Sequence, residues 1–243
     1  MEPLEIEIET RGLSKSFAGR VALDDVTLRV ATGELCGVVG ADGAGKTTLL
    51  RCIAGLYRPD RGDVMPGRRG RARVGLCPQG FHLYADLTVD ENLTFFGSIH
   101  GLESVTLRDR GEELLRFASL EEHRGRLAGS LSGGMQQKLT LICSVLHRPP
   151  ILVLDEPTTG VDPVSRREFW HLLDALHRDG TTILLASAYV DEVERCDHVL
   201  FLHEGRLLVD GTPDELVPAG DTLDAVLRRR MSRVSPAERG SIG

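Results

Sequence analysis

One eight-residue stretch constrains the fold of this chain more than any other feature. It reads Gly40-Ala41-Asp42-Gly43-Ala44-Gly45-Lys46-Thr47 and fits the pattern G-x-x-x-x-G-K-[ST] of phosphate-binding loops. The apolar run Leu35–Val39 precedes it, and a segment with apolar residues at helical spacing follows it. A strand, a glycine-rich loop and a helix in that order predict an α/β domain that binds a nucleoside phosphate.

The residue types of this loop indicate how each position would act. A loop with little side-chain bulk lets backbone N–H groups converge on a β-phosphate, where the helix N-terminus adds partial positive charge. We expect Lys46 to neutralise β- and γ-phosphate oxygens and Thr47 to offer its hydroxyl to Mg²⁺. Thr48 is expected to donate to an α-phosphate oxygen. The structural alternative is a glycine-rich turn that binds nothing.

A second motif places two acids at the end of a buried strand. The run Ile151–Leu154 is wholly apolar, and Asp155 and Glu156 follow it directly. In open α/β sheets, ligands bind at the carboxyl ends of the strands. We therefore expect Asp155 to lie in the Mg²⁺ shell and Glu156 to polarise the attacking water. The alternative is that both acids merely end the strand in solvent.

The rest of the chain alternates apolar runs of strand length with helical patterns, which predicts a parallel sheet with crossover helices. Amphipathic strands near Ile6 and Leu23 predict a small antiparallel sheet, joined by a turn region at Gly12–Gly19. Residues from about 88 to 147 are interpreted as a helical insert. We expect one domain over 4–230, with core segments of about 4–87 and 148–217, and a flexible tail over 231–243.

Composition disfavours several classes of protein. The chain has 243 residues, 29 of them basic and 36 acidic, and its net charge of −7 disfavours a nucleic-acid partner. Five widely spaced cysteines without a C-x-x-C pair predict a reducing compartment. We also expect the chain neither to span a membrane nor to carry an export signal, since its apolar runs are only strand-length.

Further motifs resemble those of ATP-binding-cassette (ABC) ATPases. The stretch Leu131–Lys138 reads LSGGMQQK, lies between the two motifs above, and resembles the signature motif of that family. The run Asp155–Pro163 resembles the family's metal-binding strand and the loop that follows it, and the resemblance covers about residues 4 to 217. It implies an α/β P-loop NTPase of the ABC cassette type, with a mixed central sheet, an N-terminal antiparallel β-subdomain and a helical subdomain insert.

The resemblance assigns roles to further residues. Phe17 resembles the aromatic residue that stacks on adenine, and Gln79 resembles the glutamine that connects the γ-phosphate and Mg²⁺ to the helical insert. The residues expected to face the nucleotide or the body of a second cassette are Ser132, Gly133, Gly134 and Asp162. From the sequence alone, Asp162 before a proline predicts a helix N-cap.

The signature stretch also points to a dimer by its own chemistry. A helix that begins at Ser132-Gly133-Gly134 exposes N–H groups and a positive pole, which make a second anion site. The chain's own phosphate loop already surrounds one nucleotide, so something else must present a phosphate to this second site. The resemblance implies two cassettes that sandwich two ATP molecules, so that ATP binding closes the dimer.

One position departs from the family pattern. After the strand Thr182–Ala186 the family usually places a histidine that contacts the γ-phosphate, whereas this chain has Ala188 there. Alanine can neither donate a hydrogen bond nor hold the water in line. We therefore expect ATP binding to survive and hydrolysis to be slow at the site that contains Lys46 and Glu156.

The resemblance implies an ATPase subunit on the cytoplasmic face of the cell membrane, with an integral membrane permease and a second cassette as partners. The sequence over Asp155–Trp170 looks most like cassettes of ABC-2-type exporters, and the family docks its permease near Phe81–Gly101. The second cassette could be a copy of this chain or a different chain. Two alternatives stay open: a non-hydrolytic donor cassette in a heterodimer, and a soluble ABC ATPase not linked to transport.

Overall fold

The computed structural model describes residues 5–65, 74–80 and 82–233 of the chain. The chain divides into two compact units. The first unit comprises residues 1–67 and 184–243, and the second unit comprises residues 68–183. Residues 234–243 of the expected tail, and Phe81 of the expected docking region, lie outside the described residues.

The strands are β1 (Ile6–Phe17), β2 (Arg20–Ala31), β3 (Leu35–Val39), β4 (Arg61–Met65), β5 (Val74–Cys77), β6 (Ile151–Asp155), β7 (Thr182–Ser187), β8 (His198–His203) and β9 (Arg206–Gly211). The helices are α1 (Lys46–Ile53), α2 (Val89–Ile99), α3 (Ser104–Phe117), α4 (Gly133–Val145), α5 (Pro163–Arg178), α6 (Val190–Val193), α7 (Pro213–Leu216) and α8 (Leu223–Arg233). Two single turns of 3-10 helix lie between α3 and α4.

An antiparallel sheet begins the first unit, in which β1 pairs with both β2 and β4. The predicted turn region Gly12–Gly19 is wrong, because β1 continues to Phe17 and only Ala18 and Gly19 form the turn. Both turn residues have positive φ, as tight two-residue hairpin turns require. The register of the β1–β2 pair shifts between Thr10 and Leu13, as at a β-bulge, so β1 continues through Gly12 instead of ending there.

Parallel strand pairing in the first unit fixes where the phosphate loop begins. β3 is buried throughout and pairs in parallel with β8, which pairs antiparallel with β9. The end of α6 packs so closely on β3 that a Cβ at Gly37 would lie 2.8 Å from Val193. Apolar residues of β8, β9 and α8 complete this core, among them Phe201, Val209 and Leu227.

A charged cluster holds the amino end of β8. His198 lies 2.5 Å from a carboxylate oxygen of Asp210 and 3.4 Å from one of Glu34. The hydrogen bonds to these two carboxylates raise the pKa of His198 to about 9, so the imidazole is protonated at neutral pH and bridges both acids. The backbone N–H of Leu35 donates to Asp197, which fixes the start of β3 beside this cluster.

The second unit contains the helices predicted between residues 88 and 147. Its strands β5 and β6 pair in parallel, and β6 is buried along its whole length. α2 starts with a capping box between Thr88 and Glu91, and α4 is buried from Gln137 to Val145. A Cβ at Gly75 would lie 2.5 Å from the Ser144 carbonyl oxygen, so glycine allows α4 to lie directly against β5.

All five cysteines are free and buried. Burial raises the pKa of Cys52 to about 11 and that of Cys77 to about 12. These thiols are therefore protonated at neutral pH. Within the described ranges, no helix has both the length and the apolar character that crossing a bilayer requires.

Candidate active site

The phosphate loop joins β3 to α1, and glycines set its shape. A Cβ at Gly40 would lie 2.3 Å from the carbonyl oxygen of Leu202, and one at Gly45 would lie 2.5 Å from that of Ala22. Gly43 and Gly45 have φ values of 80° and 106°, which residues with side chains rarely adopt. Side chains at 40 or 45 would push the loop away from the backbone beneath it, so only glycine permits this conformation.

Lys46 is the first residue of α1 and is 5% exposed. Its ammonium group donates to the carbonyl oxygens of Gly40, at 2.7 Å, and Ala41, at 3.2 Å. The side chain therefore curls back along the loop, close to the positive N-terminus of α1. Thr47 and Thr48 lie half-buried in the same first turn. An ammonium, hydroxyl groups and a helix N-terminus together can bind phosphate oxygens.

Phe17 lies at the end of β1 and is 41% exposed. Its ring meets Tyr57 edge to face, with the ring centroids 5.3 Å apart. The ammonium group of Lys15 lies 5.4 Å from the centroid of the Phe17 ring. These neighbours hold the ring in place while part of it stays accessible, so it can stack on a planar base.

The acids of the second unit lie where β6 ends. Asp155 is the last residue of β6 and is 2% exposed, and Glu156 follows it with a φ of 49°. A residue with a Cβ rarely adopts positive φ, and such strain concentrates at functional sites. The Oε2 atom of Glu156 accepts a hydrogen bond from Gln79 at 3.2 Å and one from Thr159 at 3.5 Å. Gln79 and Glu156, predicted from separate motifs, therefore lie together.

A hydrogen bond to sulfur links β5, the strand that precedes Gln79, to α4, the helix that begins in the signature stretch and is called the signature helix below. The side-chain amide of Gln137, on α4, donates to the buried Sγ of Cys77 at 3.6 Å. Cys77 ends β5, two residues before Gln79. The signature helix and the segment that carries Gln79 are thus held against each other inside the second unit.

The signature stretch begins α4 as predicted. Ser132 is the N-cap and accepts a hydrogen bond from the N–H of Met135, at 3.4 Å. Ser132 and Gly133 are exposed, whereas Gly134 is buried. The side chain of Gln136 donates to two carbonyl oxygens of the preceding loop, which fixes the direction from which the chain enters the helix. The exposed first turn can accept an anion.

Asp162 caps α5, with Pro163 at the first helical position, as predicted from the sequence. Its carboxylate accepts hydrogen bonds from the N–H groups of Val164 and Ser165, both at 3.0 Å. Hydrogen bonds from the side chain and the backbone of Ser165 lower the pKa of Asp162 below its usual value. The carboxylate is therefore ionised at neutral pH, and it lies at the exposed start of α5.

Ala188 lies exposed in the turn between β7 and α6. The hydroxyl group of Ser187 donates to Glu192 at 2.6 Å and accepts from the N–H of Tyr189 at 3.0 Å. Hydrogen bonds fix the backbone of this turn. Position 188, where the family usually has a histidine, carries only the methyl group of alanine. Tyr189, one residue later, is 40% exposed.

Three residues that contact these elements lie outside the predicted site. Ser165 packs on Gly134, and Lys138 forms an ion pair with Glu168. For Ser165 and Glu168, the one sequence feature that could have indicated the contacts is spacing. Both follow Asp162 at intervals of three residues, so they share one helix face.

The oxygen donors predicted for Mg²⁺ fit that ion in their chemistry. A hydroxyl, a carboxylate and an amide oxygen, from Thr47, Asp155 and Gln79, are hard ligands of the kind that Mg²⁺ binds. Among the residues that the structure describes, no group of three or more histidines, cysteines or acids could hold a metal alone.

Comparison with known proteins gives consistent matches. A family model described as "ABC transporter" matches residues 23–159. The chain is 43% identical over 219 residues to the probable multidrug ABC transporter ATP-binding protein YbhF of Escherichia coli, covering 86% of this chain and 38% of YbhF. It is 40% identical over 219 residues to the Nod factor export ATP-binding protein I of Ralstonia nicotianae, covering 86% of this chain and 68% of that protein.

A solved structure agrees with these sequence matches. The dimeric structure of MJ0796, a bacterial ABC transporter cassette, superposes with a TM-score of 0.76 at 25% identity, covering 84% of this chain and 98% of that one. The predicted fold class, an α/β P-loop NTPase fold of the ABC cassette type, is confirmed. With its phosphate loop, acidic strand and signature helix, the chain belongs to the ABC transporter family as an ATP-binding subunit.

Proposed function

We propose that this subunit binds and hydrolyses ATP in a dimer of cassettes and thereby powers export through an integral membrane permease. The observation that carries the proposal is Glu156, whose carboxylate accepts hydrogen bonds from Gln79 and Thr159 and whose backbone has the strained φ of 49°. A carboxylate fixed in this way suits a general base in an ABC cassette whose phosphate loop is intact.

The proposed roles at the chain's own phosphate loop follow from its geometry. The backbone N–H groups of residues 40–47 and the Lys46 ammonium bind the β- and γ-phosphates, exchanging the lysine's carbonyl partners for phosphate oxygens. Thr48 donates to the α-phosphate, and Phe17 stacks on the adenine ring. Thr47, Gln79 and Asp155 would supply oxygen ligands to Mg²⁺, whose positive charge would stabilise the transferring phosphoryl group.

Hydrolysis needs one base and an oriented water molecule. The Glu156 carboxylate accepts a proton from the attacking water. At the same time the oxygen of that water bonds to the γ-phosphorus, and the bond between the γ-phosphorus and the oxygen that leaves with ADP breaks. The amide of Gln79, which donates to the same carboxylate oxygen, orients that oxygen for the transfer. Ala188 offers no second donor to the γ-phosphate, which supports slow turnover.

Dimerisation is supported by the second anion site at Ser132 and Gly133. Each chain has one phosphate loop, so a nucleotide at the start of α4 must come from a facing cassette. The match to a cassette solved as a dimer supports the same arrangement. Asp162, ionised at the exposed start of α5, is the proposed contact across the dimer. Residues Ser132–Gly134 could serve either a copy of this chain or a different cassette that has the missing histidine.

Export is supported by the names of the relatives, a multidrug transporter protein and a Nod factor exporter. A partly exposed aromatic cluster follows Gln79: Tyr84 lies 4.4 Å from Phe95, and Phe95 lies 5.5 Å from Phe96, between ring centroids. This cluster is the proposed contact of a permease, which would place the chain on the inner face of the membrane.

Copurification tests the transport function. We expect the tagged chain, extracted from its own host's membranes in mild detergent, to retain a multi-spanning membrane protein and one further cassette per complex. Replacing Tyr84 and Phe95 with serine should release the membrane protein at a temperature at which circular dichroism shows that the chain is still folded. A chain that emerges folded and without any membrane protein would favour the soluble ATPase alternative.

Position 188 gives a second test. We expect Ala188→His to raise the ATP turnover of the chain by about 10²-fold, because a positioned proton-handling side chain typically contributes ~10²–10⁴ in rate. The affinity for Mg·ATP should change little. Tyr189→His is the matched control, since it introduces the same imidazole one residue away and should leave turnover low. An unchanged rate in Ala188→His would show that position 188 does not limit hydrolysis.

A further inference from the structure

The two glycines at the start of α4 lie in different surroundings. Gly133 is exposed, whereas Gly134 is buried. A Cβ at Gly134 would lie 2.2 Å from the Oγ atom and 2.3 Å from the Cβ atom of Ser165. Two side-chain atoms cannot approach so closely, so the absence of a side chain at Gly134 is what lets α4 and α5 touch at this point.

Ser165 also holds the cap of its own helix. Its backbone N–H donates to Asp162 at 3.0 Å, and its side chain hydrogen-bonds to the same carboxylate. A single serine therefore contacts the first turn of the signature helix on one side and the capping acid of α5 on the other.

A second contact lies one helical turn further along both helices. The Lys138 ammonium lies 3.0 Å from a carboxylate oxygen of Glu168, and the Lys138 side chain is only 10% exposed. Lys138 follows Gly134 by four residues and Glu168 follows Ser165 by three, which places both contacts along one seam. Two contacts one turn apart restrict sliding and rotation of α4 relative to α5.

We propose that Ser165 is a positioning residue that sets the exposed start of α4 relative to the exposed start of α5. Through its contacts with Gly134 and Asp162, it makes Ser132 and Asp162 meet a facing cassette as one rigid surface. This inference rests on the proposed dimerisation. In this arrangement Gly133 leaves the backbone bare for a phosphate, whereas Gly134 is required for packing against α5.

A size exchange between the two helices tests this role. We expect Gly134→Ala to lower kcat by about 10²-fold, the size of effect that a misplacement of about 1 Å can have. Binding of Mg·ATP to the chain's own phosphate loop should keep its wild-type Kd. Adding Ser165→Gly should restore kcat to within about threefold of wild type, because the alanine methyl group occupies the space that the serine leaves and the backbone N–H of residue 165 still donates to Asp162. Adding Ser165→Ala should restore nothing, since the Cβ atom of residue 165 remains.

Two further comparisons separate this role from others. Gly133→Ala should also lower kcat, but Ser165→Gly should not rescue it. If Gly134→Ala does not fold, the ion pair replaces it in the test: Lys138→Glu should lower kcat at unchanged Kd, and adding Glu168→Lys should recover it.

The proposal is overturned if Gly134→Ala keeps wild-type kcat, or if Ser165→Gly fails to restore kcat in a folded Gly134→Ala chain that binds Mg·ATP with wild-type affinity. Where Gly134→Ala does not fold, failure of the charge exchange between residues 138 and 168 overturns it. A wild-type chain that forms no ATP-dependent dimer by light scattering, either with itself or with the cassette that copurifies with it, refutes the proposed function itself. A chain that dimerises but shows no rescue refutes the role of Ser165 alone.

Discussion

Replacing Glu156 with glutamine is expected to lower ATP turnover by about 10²–10⁴-fold while Mg·ATP binding stays intact. Glutamine keeps the size of the side chain and can still accept a hydrogen bond from Gln79, now through its amide oxygen. It cannot accept the proton of the attacking water. The effect therefore separates chemistry from binding, and single-turnover hydrolysis beside calorimetric titration measures both.

The Glu156→Gln measurement is best made beside Ala188→His, in which the starting rate is higher. Glu103→Gln makes the same chemical change at an exposed acid before α3 and should leave turnover unchanged. If Glu156→Gln leaves the turnover of Ala188→His unchanged, Glu156 is not the base. If Glu156→Gln lowers the turnover of Ala188→His but not that of the native chain, the native chain is a nucleotide-gated donor cassette instead.

Replacing Lys46 with alanine is expected to raise the Kd for Mg·ATP by about 10²-fold or more. A hydrogen bond to a charged group contributes about 1.5–3 kcal/mol, and Lys46 is proposed to reach both β- and γ-phosphate oxygens. The ammonium gives up its bonds to the Gly40 and Ala41 carbonyls when it binds phosphate. The net loss of binding free energy therefore lies at the lower end of what two such hydrogen bonds would contribute together. Equilibrium binding of a fluorescent ATP analogue measures it.

Arg108→Ala is the matched control for Lys46→Ala. It also removes a cation, but its side chain is exposed and pairs with Asp109 on α3. We expect it to bind the analogue with wild-type affinity. Tight binding by a folded Lys46→Ala chain would show that the phosphate loop does not depend on its lysine.

The strands that position the site are the part of the fold that sequence predicts best. β3 and β6 are buried on both faces, so each appears as an unbroken apolar run that ends at its motif. β4 was not predicted, because four of its five residues are exposed and its sequence starts Arg61-Gly62-Asp63. Its pairing with β1 is decided by partners distant in sequence.

The motifs of the site were predictable, but their contacts were not. Gln79 and Glu156 are 77 residues apart, and only the folded second unit shows that one donates to the other. The contact between Gly134 and Ser165 depends on how α4 packs against α5, which no local pattern encodes. The positive φ of Glu156 also runs against local preference, as expected where function rather than propensity selects the backbone.

Calorimetric titration of the purified chain with Mg·ATP tests the central claim most directly, because every later step depends on the phosphate loop. We expect a saturable heat that corresponds to one nucleotide per chain. A chain with the circular-dichroism spectrum of a folded α/β protein that gives no heat with Mg·ATP at several temperatures would contradict it.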